Sequence, residues 1–141
     1  YGMISDTAPN IVERYNGFQW FIEQHNNKFL QSSQSPKNSN DSTEIALEVM
    51  YSMLEDDPSI MAIISLGGWP MWNLTGWADF HDKYASLTYV VADTLDTQIR
   101  QLNQGYVNGL VGQLPFDMGE LSLETLYNIT QGKYDLSQKV Q

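Results

Sequence analysis

The sequence predicts an α/β fold, a three-layer sandwich in which a parallel five-stranded sheet carries helices on both faces. Strand-like and helical segments alternate about five times, the pattern of a parallel sheet with crossover helices. Residues 60–66 form a continuous apolar run between Pro58 and Gly67, as expected of a strand buried on both faces. A helix-length segment, residues 94–105, separates the last two strand-like runs. We therefore expect a flavodoxin-like strand order, 2-1-3-4-5.

The first half of the chain opens with a short apolar run at residues 1–5, which predicts the first strand. Pro9 suits a first helical turn, and apolar residues recur at helical spacing over residues 11–25, so a helix is predicted there. Asn26 and Asn27 are expected to end that helix. Two further segments are a weak strand over residues 28–33 and a loop rich in Ser, Asn and Pro over residues 34–42.

The second half alternates between helix and strand more regularly. Its first helix is capped by Asp41 or Ser42 and ends at Asp57-Pro58, and its apolar residues share one face. Glycines are expected to end the last two helices. The remaining predicted elements are the strand over residues 60–66, an irregular turn and short helix over 69–84, a strand over 87–93, a helix over 94–104, a strand over 107–113 and a helix over 116–131.

Composition excludes several classes of function. The 141 residues suffice for a single domain, and they carry a formal net charge of −10 with only 7 basic residues. Such a chain is not expected to bind nucleic acid, which requires clustered Lys and Arg. Because there is no cysteine, disulfides, thiolate catalysis and thiolate metal sites are excluded. No apolar run approaches the roughly 18 residues of a membrane span.

Two polar residues stand where strand-like runs stop, Asp93 and Gln113. In an open parallel sheet the carboxyl ends of the strands line the crevice where ligands bind. A carboxylate and a carboxamide at that place offer acceptors and donors suited to a small neutral polyol. Asp93 could instead cap the helix that follows it. Gln113 precedes Leu114-Pro115, where a large amide is unusual for solubility alone, so a ligand role is favoured.

Aromatic residues cluster directly after the Gly67-Gly68 pair. Trp69 and Trp72 could pack in the core or stack on the apolar face of a sugar, and the sequence leaves both interpretations open. Trp77, the next tryptophan, is predicted to be a core residue. This segment therefore allows two interpretations, a tryptophan that contacts the ligand or tryptophans that only pack in the core.

The sequence shows no catalytic constellation. His25 and His81 have no partner at metal-ligand spacing, and both are expected at the surface. Gly67-Gly68 is not followed by Lys-Ser or Lys-Thr, so it is not a phosphate-binding loop, and no Gly-x-Ser-x-Gly elbow occurs. We therefore expect a binding protein rather than an enzyme, with no metal and no cofactor.

Four segments occur in an order that points to a known family. They are Arg14-Tyr-Asn-Gly-Phe18, Asp57-Pro-Ser-Ile-Met-Ala-Ile-Ile64, Val90-Val-Ala-Asp93 and Gly105-Tyr-Val-Asn-Gly-Leu-Val-Gly-Gln-Leu-Pro-Phe-Asp-Met-Gly119. Over nearly its whole length the chain resembles the carboxyl-terminal lobe of type I periplasmic sugar-binding proteins of the ribose-binding kind. The last segment, a strand followed by Gln-x-Pro-x-x-x-Gly and a helix, is the most specific.

The resemblance implies a place in a larger receptor. In that family two similar lobes, joined by a hinge, close on a sugar that is handed to a membrane permease or read by a sensor protein. Residues 1–141 would then be one lobe, the amino-terminal lobe would be missing, and the location would be periplasmic. The chain begins at Tyr1 within an apparent strand and ends at Gln141 without a stop signal, so both ends look like cuts.

The resemblance also implies roles for three polar residues. Arg14 matches the family arginine that hydrogen-bonds sugar hydroxyls, and Asp93 and Gln113 match the residues that end the fourth and fifth strands. From spacing alone, Arg14 would only form a solvated ion pair with Glu13. The family implication and the local pattern therefore differ for Arg14.

Two departures from the family leave the identity of the ligand open. The family often has Asn-Asp after the third strand, where this chain has Gly67-Gly68, so Trp69 could replace a polar contact with an aromatic one. The loop before the second helix often supplies an aromatic residue, and here Asn40 or Asp41 occupies it. Trp69 and Asp41 therefore join the candidate ligand-binding residues.

A second family shares this lobe. The chain also resembles the effector-binding domain of repressors of the lactose-repressor type, and a helix-turn-helix upstream would favour that alternative. A response-regulator receiver is disfavoured, because it needs an acidic cluster after the first strand and a Lys after the fifth. This chain offers only Asp6 and Gln113-Leu-Pro at those places.

Overall fold

The computed structural model describes residues 1–25 and 28–133, and it contains one parallel five-stranded sheet in the order β2-β1-β3-β4-β5. All four strand pairings are parallel, so the predicted fold class and strand order are confirmed. In chain order the elements are β1 Gly2–Ser5, α1 Pro9–Gln24, β2 Lys37–Asn38, α2 Thr43–Asp56, β3 Ala62–Ser65, a 3-10 turn Trp69–Met71, α3 Leu74–Lys83, β4 Thr88–Ala92, α4 Asp96–Gln104, β5 Gly109–Val111 and α5 Pro115–Thr130.

One face of the sheet is covered by α2, α3 and α4. Tyr89 of β4 is 1% exposed and packs edge-on against Trp77 and Phe80 of α3, with ring centroids 5.3 and 5.9 Å apart. Ile63 of β3, Trp77 and Phe80 are also almost completely buried. Trp77 is therefore the core residue that its sequence position predicts.

The other face of the sheet carries α1. Phe18, Phe21 and Ile22 of this helix, together with Ile64 of β3 and Val90 of β4, border an apolar hollow of about 220 Å³. Ile64 and Val90 are only partly buried, although their neighbours Ile63 and Val91 are 1% and 2% exposed. The expectation that β3 is buried on both faces is therefore met on one face only.

The second strand was predicted at the wrong place. Residues 28–33 form no strand, whereas Lys37 and Asn38, in the segment predicted as a loop, pair with Ile4 and Ser5 of β1. The physical reason is that the edge strand is only 2 residues long, so it carries no hydrophobic alternation that a sequence pattern could reveal.

The ends of the helices mostly follow the predicted signals. The Ser42 hydroxyl caps α2 by accepting a hydrogen bond from the Ile45 backbone N–H at 3.3 Å. Gly105 follows α4 with a left-handed φ of 84°, the conformation that glycine adopts without strain. The predicted end of α1 at Asn26 and Asn27 lies outside the described residues.

The last helix, α5, lies apart from the core. None of its residues is buried, and Phe116, Leu121 and Leu123 are 80%, 62% and 69% exposed. Within residues 1–25 and 28–133, none of the helices has both the length and the apolar character that crossing a bilayer demands.

Candidate functional site

The carboxyl ends of the strands meet at one edge of the sheet and surround a hollow of about 530 Å³. Its walls come from the first turns of α1 and from the segments that follow each of the five strands. All five sequence-predicted binding residues line it. The lining residues are Asp6, Thr7, Ala8, Asn10, Ile11, Arg14, Asp41, Gly67, Gly68, Trp69, Trp72, Asp93 and Gln113.

Asp93 lies at the centre of the hydrogen bonds in this hollow. One carboxylate oxygen accepts from the Gln113 side-chain amide at 2.8 Å, and the other accepts from the Gly68 backbone N–H at 3.2 Å. The residue has a φ of 74°, a left-handed conformation that Asp tolerates better than most side chains. The alternative that Asp93 caps the next helix is wrong, because the N-cap of α4 is Leu95.

Arg14 projects from α1 into the hollow. Its Nη1 donates to the Leu66 backbone carbonyl at 2.7 Å and lies 3.9 Å from Asp93 Oδ1. Glu13 instead accepts from the Asn16 side chain at 3.3 Å, so the solvated pair of Arg14 with Glu13 is wrong. Helix α1 places Arg14 over the edge of the sheet. The position of Glu13 next to Arg14 in the sequence gives no information about this contact. One guanidinium nitrogen is anchored, and the others are available to a ligand.

A second chain of hydrogen bonds forms the opposite wall. Asp6 Oδ1 accepts from the backbone N–H groups of Thr7 and Ala8 at 2.6 and 3.2 Å, and Asp6 Oδ2 accepts from the Asp41 N–H at 2.7 Å. Asp41 Oδ1 in turn accepts from the Trp69 indole N–H at 2.6 Å. Asp6 therefore ties the loop before α2 to the end of β1, and Asp41 ties that loop to Trp69.

The two glycines after β3 make room for two indole rings. A Cβ on Gly67 would lie 2.6 Å from the Trp69 ring, and a Cβ on Gly68 would lie 2.7 Å from the Trp72 indole nitrogen. Trp69 is only 4% exposed, whereas Trp72 is 46% exposed. The buried Trp69 ring therefore forms part of the wall of the hollow, and its indole N–H holds Asp41 in place. Trp72 presents the aromatic surface that a ligand could reach.

The chemistry of the hollow suits a neutral polyol. Three carboxylates and one guanidinium line it, and most of the carboxylate oxygens already accept hydrogen bonds from the protein. Arg14 keeps free donors, and the Gln113 carbonyl oxygen and one Asp41 oxygen are available as acceptors. A site that offers both donors and acceptors suits hydroxyl groups, because each hydroxyl can both donate and accept a hydrogen bond. Each ionised partner also makes these hydrogen bonds stronger than neutral ones.

Sequence reasoning missed parts of this site. Asp6 was considered only as an acidic residue after the first strand, and one partner of its carboxylate, the Asp41 N–H, lies 35 residues away. Asn10 lines the hollow but has no distinctive neighbour in the sequence. The exposure difference between Trp69 and Trp72 depends on how the 3-10 turn is packed, so no sequence signal separates the two.

His81 departs from its expected surface position. Its side chain is 18% exposed, and its ring lies edge-on to Tyr106 with centroids 4.9 Å apart. His25, in contrast, is exposed as predicted, and its ring stacks on Phe21 at 3.9 Å. Neither His81 nor His25 lines the hollow, so neither belongs to the candidate site.

Comparison with protein families decides what kind of domain this is. A family described as periplasmic binding protein domain matches residues 1–134. The chain belongs to this family. Its members are solute-binding proteins, so the domain is a binding domain and not an enzyme. No curated protein sequence matches the chain significantly.

Two solved structures show the same fold. An ABC transporter solute-binding protein from Burkholderia graminis C4D1M, in complex with D-arabinose, is 20% identical with a TM-score of 0.74 over 95% of this chain and 47% of its own. A periplasmic solute-binding protein from Actinobacillus succinogenes 130z, with bound D-allose, is 17% identical with a TM-score of 0.75 over 99% and 50%. This domain thus spans about half the length of these solute-binding proteins.

Proposed function

We propose that this domain binds a neutral sugar in the hollow at the carboxyl edge of its sheet, as one lobe of a two-lobed solute-binding protein. The observation that carries the proposal is the convergence of Arg14, Asp93 and Gln113 on one wall, from three different elements. The two solved structures of the same fold hold an aldopentose and an aldohexose. A sugar of that size carries the dense hydroxyl groups that these side chains can bind.

Each of the three side chains has a distinct role. Asp93 accepts hydrogen bonds from adjacent hydroxyls when the Gln113 amide and the Gly68 N–H turn partly toward the ligand. Arg14 donates its free N–H groups in the plane of the guanidinium, which fixes the orientation of the sugar. Gln113 supplies both a donor and an acceptor from a single side chain.

Closure over the sugar is the proposed mechanism. The hollow is open to one side, so a sugar bound there would keep part of its surface in water until a second lobe covers it. A ligand that contacts both lobes favours the closed state by its higher affinity for that state. Closure also removes water from the charged side chains, which strengthens their hydrogen bonds to the sugar.

On this proposal the whole protein works outside the cytoplasm, where it passes sugar to an ABC-type permease or reports it to a membrane sensor. Half of each solved relative has no counterpart in this chain, and we assign that half to the amino-terminal lobe. An effector-binding domain of the lactose-repressor type would have the same fold. A secretion signal encoded upstream supports the exported protein, and a helix-turn-helix supports the repressor.

Calorimetry on the full-length protein tests the proposal. Titration with pentoses and hexoses should give saturable binding, and Gln113→Ala should weaken it about tenfold, since losing a desolvated polar partner costs roughly 1–3 kcal/mol. Gln104→Ala is the matched control, because Gln104 is exposed on α4 and does not line the hollow. Equal affinities of the Gln113→Ala and Gln104→Ala proteins would remove Gln113 from the site. Absence of binding to any sugar would refute the function.

A further inference from the structure

A second hollow, of about 310 Å³, adjoins the first on the far side of Asp93 and Gln113. We propose that it receives a second sugar ring, so that the ligand is a neutral disaccharide or a comparable glycoside. This inference rests on the proposed sugar-binding function and extends it to the class of sugar. The residues that line the second hollow are Trp72, Asp93, Thr94, Leu95, Gln113 and Pro115.

The two hollows are joined rather than independent. Trp72, Asp93 and Gln113 line both, and the hydrogen bond of 2.8 Å between Gln113 and Asp93 stands where they meet. A ligand whose first ring is held by Asp93 and Gln113 can therefore continue past them without leaving the protein surface. A glycosidic oxygen placed beside this pair would link a ring in the first hollow to a ring in the second.

The second hollow differs from the first in chemistry. Trp72, Leu95 and Pro115 give it an apolar surface, and Trp72 and Leu95 are 46% and 52% exposed. The faces of a pyranose ring carry C–H groups, which pack on such a surface. Thr94 adds a hydroxyl that can donate and accept at the rim. An apolar floor with one polar edge suits a sugar ring lying flat.

Charge excludes an acidic second unit. Asp93 is the one ionisable residue among those that line the second hollow, and no Lys, Arg or His is among them. A uronic acid or a sugar phosphate would place its negative charge near this carboxylate, and the cation beside Asp93, Arg14, lines the first hollow and not the second. The second ring is therefore neutral. The volume agrees, since about 310 Å³ lies at the lower end of the roughly 300–1,000 Å³ usual for ligand pockets.

The test compares two sugar sizes in the full-length protein. Calorimetry with maltose, cellobiose and lactose, against D-arabinose and D-allose, should show tighter binding of at least one disaccharide. Trp72→Ala should weaken that disaccharide about tenfold and the monosaccharides less than about threefold, since the lost stacking concerns the second ring. Trp20→Ala is the matched control, because Trp20 is 62% exposed on α1 and lines neither hollow.

A second variant guards against misfolding of Trp72→Ala. Leu95→Asp removes apolar surface from the second hollow and adds a negative charge, while Asp is a favourable residue at this helix N-cap. It should lower disaccharide affinity selectively, with an unchanged melting temperature.

Three outcomes separate the inferences. Preference of the wild type for monosaccharides, or an equal loss for both sugar sizes in Trp72→Ala, overturns the second-ring site and leaves the proposed sugar binding standing. An equal loss would mean instead that Trp72 contacts the first ring or the facing lobe. If neither mono- nor disaccharides bind, the proposed function and the second-ring site both fail.

Discussion

The two faces of the sheet are built from neighbouring residues but differ sharply in burial. On the face covered by α2, α3 and α4, Ile63, Tyr89 and Val91 are at most 2% exposed. On the face that carries α1, Met3 of β1 is completely buried, but Ile64 and Val90 are only partly buried, and Val111 is 63% exposed. The alternation of strand side chains is the same on both faces. Burial therefore depends on which helices pack there and not on the strand sequence.

The candidate site is supported from both faces of the sheet. Gly68, Trp69 and Asp93 rest on the covered face, where buried Gln98 donates to the Ala92 carbonyl at 2.9 Å and accepts from the Leu95 N–H at 3.0 Å. Arg14 reaches the site from the opposite face, on α1. One wall of the hollow therefore rests on the tightly packed face of the sheet, and the wall that carries Arg14 rests on the less tightly packed face.

The largest expected difference between the two faces comes from a pair of tryptophans. Trp77→Ala, on the covered face at 1% exposure, should lower the free energy of unfolding by about 3–5 kcal/mol. Trp20→Ala, on α1 at 62% exposure, should change it by less than about 0.5 kcal/mol. Urea unfolding followed by far-ultraviolet circular dichroism measures both. Similar losses would mean that α1 is packed as tightly as α3.

Two adjacent isoleucines of β3 sharpen the comparison. Ile63→Ala should destabilise the domain by about 2–5 kcal/mol, because it opens a cavity beneath α2 and α3. Ile64→Ala removes the same atoms from the partly covered face and should cost less than half as much, since the Ile64 side chain is already partly exposed. The midpoints of chemical unfolding give both values. Equal costs would show that the α1 face is fully covered in solution.

A buried amide tests the polar part of the covered face. Gln98→Leu should cost about 1–3 kcal/mol, because the buried Ala92 carbonyl and the partly buried Leu95 N–H both lose their partner. Gln104→Leu, on the exposed side of the same helix, should be nearly neutral. Thermal unfolding of both variants provides the measurement. A neutral Gln98→Leu would mean that water replaces the amide.

The smallest expected effect concerns the Tyr89 hydroxyl, which donates to the Tyr84 carbonyl at 2.7 Å. Burial raises the pKa of Tyr89 well above its usual value, so the folded state keeps this proton where the unfolded state releases it. The free energy of unfolding should therefore fall as the pH rises above about 10.

Tyr89→Phe should make that alkaline fall shallower and should cost about 0.5–1.5 kcal/mol at neutral pH. Tyr127→Phe is the control, since Tyr127 is 58% exposed on α5. Urea unfolding at several pH values between neutrality and the alkaline range gives the slopes. An identical slope in the wild type and Tyr89→Phe would contradict the burial of this hydroxyl.

The sequence predicted more of the fold than of the site. Long amphipathic helices and the apolar runs of β3 and β4 were found because their periodicity is local. The edge strand at Lys37–Asn38 was missed because 2 residues carry no pattern. Asp93 and Gln113 were singled out because they follow strands, and the parallel topology brings strand ends together. Their roles in sugar binding remain part of the proposal.

By itself, the sequence determined the fold class, the strand order and the edge of the sheet at which polar residues gather, since all three follow from local periodicity and parallel crossovers. Only the tertiary structure decided that Trp69 is buried against Asp41 while Trp72 stays exposed, and that Arg14 turns toward Asp93 and not Glu13. It also decided which face of the sheet is covered. These choices depend on contacts between residues far apart in the chain, and such contacts form only when the helices pack on the sheet.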